Sequence, residues 1–78
     1  MSTLDDTLCT LIALLDARLY EINVTNAEGI AAMRQGERNQ AIGTLLPLER
    51  ELKVAAGLLD AILALHRTPA AALPLGGV

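Results

Sequence analysis

Side-chain chemistry needs nucleophiles, bases or metal ligands held close together, and this chain has few of them. It carries one cysteine (Cys9), one histidine (His66) and one tyrosine (Tyr20). A zinc site takes about three or four protein ligands, so a lone Cys and a lone His fall short of one. Cys9 lies in an apolar first stretch and reads as a small packing residue, with a redox or intermolecular disulfide role as the rival. His66 ends an apolar series near a helix C-terminus. It is either a pH-responsive group or a surface residue at the end of a seam. Glu49, Arg50, Glu51 and Lys53 form a charge cluster. Acid–base work by paired carboxylates needs a pocket, which two packed helices do not offer. The cluster therefore reads as a solvated face, with Glu49 and Lys53 as a helical i,i+4 pair in the favoured order. No Ser/His/Asp or Cys/His arrangement and no phosphate-cradling glycine loop is present. The expectation is a protein with no catalytic, cofactor-binding or metal-binding residues, and not an enzyme.

Charge narrows the partners. The net charge is −3, with six basic residues scattered among nine acidic ones. There is no basic stripe for a nucleic-acid backbone and no aromatic platform for bases, so nucleic acid is not an expected partner. The apolar stretch 7–15 follows Asp5 and Asp6 rather than a basic leader and is too short to span a bilayer. The second apolar run, 54–65, is interrupted by Asp60. No membrane association is expected, and the chain reads as cytoplasmic, where a free thiol fits a reducing compartment. Asn23-Val24-Thr25 matches a glycosylation sequon, expected to be unused without a secretory signal.

The elements that must position these residues are helices. Hydrophobic residues make up 53% of the chain and aromatic ones 1%. The excess is Leu, Ala and Ile, a helix-forming composition with little to build a sheet. Ser2 or Thr3 can cap a first helix, with Asp5 and Asp6 opposing its positive end. A ladder then runs Leu4, Leu8, Leu11, Leu15, Leu19, Ile22, Asn26, Ile30, Met33. This is helical spacing, nearer an 11-residue than a 7-residue repeat. Thr25 to Glu28 forms a second capping box and Gly29 weakens the helix, so a kink near residues 23–29 is the alternative to one long helix. Asn26 on that ladder is either a polar core residue that fixes register or an exposed residue at a break. Gly36 ends the helix as a left-handed cap after Arg34.

A short link, about Gly36 to Asn39, makes the next helix an antiparallel neighbour. There Ala41, Leu45, Leu48, Leu52, Ala55, Leu59, Ile62 and His66 make an unbroken heptad seam, with Val54, Leu58, Ala61 and Leu65 beside it as a second stripe. Pro47 lies within the seam. The spacing predicts a kinked but continuous helix, and the rival is a separate turn before Pro47 with the main helix opening there. The two helices would be about 33 and 28 residues, roughly 50 and 42 Å long.

One hairpin mate cannot cover both stripes of the second helix. The expectation is therefore an all-α antiparallel hairpin over 1–67 that dimerises into a four-helix bundle, with a flexible apolar tail over 68–78. The expected self-association interface is Leu45, Leu48, Leu52, Val54, Leu58, Leu59, Ile62 and Leu65. A further protein partner, of unknown identity, would meet leftover apolar stripe or an acidic outer face including Asp16, Tyr20, Glu21 and Glu28.

The segment 36–42, Gly-Glu-Arg-Asn-Gln-Ala-Ile, resembles the turn of a tetratricopeptide repeat. It lacks the aromatic that motif places two residues after the glycine, and no repeat follows it. The plan of an acidic chain of this length, with two helices and a glycine turn, resembles the small co-chaperones of type III secretion needle subunits. That resemblance implies stability only as a heterodimer and transfers no functional residue. The function expected is a small protein–protein interaction module, an adaptor or regulator working as a helical-bundle homodimer. Its rivals are that co-chaperone and a small phage or mobile-element inhibitor acting through acidic surface.

Overall fold

The computed structural model describes residues 2–67 and is helical throughout: α1 (Thr3–Arg34), α2 (Arg38–Leu45) and α3 (Leu48–Arg67). The expectation for residues 68–78 lies outside the described residues. α1 forms because Ser2 accepts the Asp5 amide on its hydroxyl at 3.1 Å, with Asp5 and Asp6 in the first turn beside the positive helix end. It runs unbroken through residues 23–29. At its far end Gly36 takes φ +77. The Glu37 amide donates back to the Ala32 carbonyl and the Gly36 amide to the Met33 carbonyl, both at 2.9 Å. That is the Schellman arrangement, which needs a left-handed residue at the glycine's position.

The chain then turns back. α2 and α3 lie antiparallel to α1, as two contacts far apart in sequence show: Arg18 reaches Glu51, and Gly29 faces Leu45. The returning arm bends at Pro47, as the spacing predicts, and there divides into α2 and α3. Pro47 has no N–H to continue the ladder. The Leu46 amide still bonds to the Ile42 carbonyl at 3.1 Å, and the Pro47 carbonyl takes up the Glu51 amide at 3.1 Å to begin α3. Leu46 keeps right-handed helical angles, so the arm bends without reversing.

The apolar ladder also differs from its sequence reading. The residues of α1 drawn away from water are Leu8, Leu11, Leu15, Arg18, Ile22, Thr25, Gly29 and Ala32. Their steps alternate three and four, a seven-residue repeat. Leu19, Asn26, Ile30 and Met33, on the predicted ladder, are exposed. An 11-residue ladder drifts around a helix relative to a neighbouring arm, and packing against that arm selects the seven-residue spacing instead. In the second half of α1 this places Thr25, Gly29 and Ala32 inward, residues small enough for a close approach. A Cβ on Gly29 would stand 2.9 Å from Leu45 Cδ2.

The returning arm shifts in the same way. Its seam residues are Ala41, Leu45, Leu48, Glu51, Ala55, Leu58, Ile62 and Leu65, with Thr44 and Leu63 also partly covered, while Leu52, Leu59 and His66 face out. The sequence reading had put Leu52, Leu59 and His66 in the seam and Leu58 and Leu65 outside it, so those roles are exchanged.

Buried residues among those described are Gly29, Ala32, Ala41, Ala55 and Ile62, and none has a large, fully buried side chain. The molecule measures 57 × 23 × 13 Å. Since one helix with its side chains is about 10–12 Å thick, this is a single layer two helices wide.

Candidate functional site

Two right-handed helices running in opposite directions present corresponding heptad positions on the same flank of their hairpin. The residues directly after Leu11, Arg18, Thr25 and Ala32 are Ile12, Leu19, Asn26 and Met33. Those directly after Glu51, Leu58 and Leu65 are Leu52, Leu59 and His66. All seven emerge on one flank, and none is Asp, Glu, Lys or Arg. The five apolar side chains among them are from 45% exposed (Leu59) to 54% exposed (Ile12). Ile30, also exposed, widens the flank towards the turn.

The opposite flank is mixed. It carries Leu14, Glu21 and Glu28 from α1 and Val54 and Ala61 from α3, all exposed. Of the proposed partner surface, Glu21 and Glu28 therefore stand together one heptad apart. Asp16, two heptads before Ile30, lies at the edge of the uncharged flank, and Tyr20 lies on the outer side of α1; both are exposed. Of the residues expected to mediate self-association, Leu45, Leu48, Leu58, Ile62 and Leu65 face α1 within the hairpin. Leu52 and Leu59 lie on the uncharged flank and Val54 on the other. Asn26 is exposed, on the uncharged flank.

The seam holds one feature that sequence reading missed. Arg18 Nη1 donates to Glu51 Oε1 at 2.7 Å, with both side chains about two-thirds shielded from water. Glu51 had been grouped with the solvated charges, and Arg18 with scattered basic residues. The signal that finds them is the heptad phase itself: Arg18 falls at a seam position once Leu8, Leu11, Leu15 and Ile22 are inward, and Glu51 once Leu48, Ala55, Leu58 and Ile62 are. The pair ties α1 to α3 at one register.

Cys9 and His66 are both exposed. Among the described residues no three of His, Cys, Asp and Glu gather where they could hold a metal ion. A shallow, open depression near the start of α1 is lined by Thr3, Asp6, Thr7, Thr10 and Leu11. The hydroxyls of Thr7 and Thr10 donate to the Thr3 and Asp6 carbonyls, each at 3.1 Å, so they serve the helix rather than a ligand. No helix among the described residues is long and apolar enough to cross a membrane. No protein-family profile, curated protein or solved structure matches the chain.

Proposed function

We propose that this chain is a protein–protein interaction module, an adaptor or regulator without catalytic chemistry, that works as a helical-bundle homodimer. The observation that carries this reading is the poverty of the single-chain interior, whose buried side chains among the described residues are three alanines and Ile62. A chain this short buries too little of its surface to be comfortably stable alone, and natural proteins of its size add a staple. With one cysteine there is no disulfide within the chain, which leaves association. The sequence pattern supports the same conclusion. Inward residues plus the exposed Ile12, Leu19, Leu52 and Leu59 make a stripe three positions wide per heptad. Helices of a bundle carry such a stripe, whereas a two-stranded pair needs only two positions.

Light scattering on the purified chain tests this reading. A mass of twice the 8.2 kDa chain is expected, with helical circular dichroism. A folded species at the mass of one chain, across micromolar to millimolar concentration, would refute it. A chain that is unfolded alone and folds only on mixing with a different protein would replace the homodimer by a heterodimer.

A further inference from the structure

We infer that a second copy of this chain covers the uncharged flank of Ile12, Leu19, Asn26, Met33, Leu52 and Leu59, and that the opposite flank stays free. This rests on the homodimer reading and adds to it the face that is used. Area is the first support. The five apolar side chains alone present on the order of 450 Å², over half of the about 800 Å² per partner that a stable interface buries. Their shared flank is continuous, because Leu19 and Leu52 lie on facing arms beside the Arg18–Glu51 contact.

Charge is the second support. The chain carries a net −3, so copies repel each other in general. Contact through this flank brings Asp16 and Glu49 to its edge but no carboxylate among its seven central positions, whereas the other flank has Glu21 and Glu28 among its own. Asn26 is the third. Its amide has both donors and acceptors, so this exposed polar group can be satisfied by the same surface on another copy. Like meeting like in this way is what a two-fold interface requires. The occupant this flank fits is therefore the chain itself.

Sedimentation equilibrium on the full chain and three variants tests the assignment. Leu19→Glu with Leu59→Glu places charge on the uncharged flank, and Leu14→Glu with Val54→Glu places it on the other. Asn26→Arg changes a residue that is already polar and exposed, so the hairpin itself is undisturbed. The flank double variant and Asn26→Arg are expected to weaken dimerisation by about 30-fold or more, and the Leu14/Val54 variant by less than about threefold. Helicity measured on Asn26→Arg separates lost association from lost folding. If Leu14→Glu with Val54→Glu breaks the dimer while Asn26→Arg leaves it intact, the face assignment is wrong and the homodimer stands. A monomeric wild-type chain overturns both.

Discussion

At the scale of single residues, the seam is held by a charge pair and a missing side chain. Arg18 and Glu51 meet at 2.7 Å, with side chains 37% and 32% exposed. Water still screens such a pair, so its net worth is about 1 kcal/mol or less. The larger effect is what remains when one partner goes. Glu51→Ala leaves the Arg18 guanidinium partly shielded without its partner, and a stability loss of about 1 kcal/mol is expected in chemical denaturation. Replacing both partners at once, Arg18→Met with Glu51→Leu, is expected to restore or exceed wild-type stability, because a matched apolar pair removes the desolvation cost. A double variant no better than the single one would show that the pair does more than fill the seam. Gly29 tests the opposite extreme. A Cβ there meets the end of the flexible Leu45 side chain at 2.9 Å. Gly29→Ala therefore sets crowding that Leu45 can relieve against a helix-propensity gain of about 1 kcal/mol, and a net change within about 1 kcal/mol follows. Gly29→Leu has no such relief and is expected to lose about 1–3 kcal/mol. Equal stability of the leucine variant in thermal melts would mean that α1 and α2 do not approach closely there.

At the scale of elements, the helix ends were legible from the sequence and the helix faces were only half so. Ser2 and Gly36 are local devices, recognisable from a few neighbouring residues, and both act as their types imply. Gly36→Ala forces a side chain into φ +77 and is expected to cost about 1 kcal/mol, read as a lowered denaturation midpoint. Retained stability would mean that the turn has found a different cap. Faces are not local. Along α1, leucine and isoleucine stand side by side at Leu11 and Ile12 and at Leu14 and Leu15, so hydrophobicity alone leaves the inward phase open by one position. What fixes it is the partner arm, whose close approach needs Thr25, Gly29 and Ala32 inward and so turns Asn26, Ile30 and Met33 out. The same ambiguity on the second arm exchanged Leu58 and Leu65 with Leu52 and Leu59. The bend at Pro47 was legible as a disturbance. Whether it was a kink or a break depended on Leu46, whose helical angles no residue type in the segment dictates.

At the scale of the whole molecule, a layer 13 Å thick cannot enclose a large side chain on all sides, and no leucine among the described residues is buried. In the proposed homodimer, stability and association are then one process. A species that is folded only when paired has a melting temperature set by its concentration. The midpoint is expected to rise by several degrees per hundredfold increase in protein, given that about 1 kcal/mol moves a domain of this size by roughly 4–8 °C. Salt separates the possible faces. Surfaces that carry charge associate more or less strongly as ions screen them within about 10 Å at 0.1 M. The flank of Ile12, Leu19, Asn26 and Met33 on α1 and Leu52 and Leu59 on α3 carries no basic group, and its edge carries only the acidic Asp16 and Glu49. Raising salt from about 0.05 to 0.5 M can only relieve the repulsion between two acidic chains, so dimerisation is expected to hold steady or strengthen. Dimer dissociation as salt rises, measured by sedimentation, would mean that opposite charges hold the copies together and that the uncharged flank lies elsewhere than at their contact.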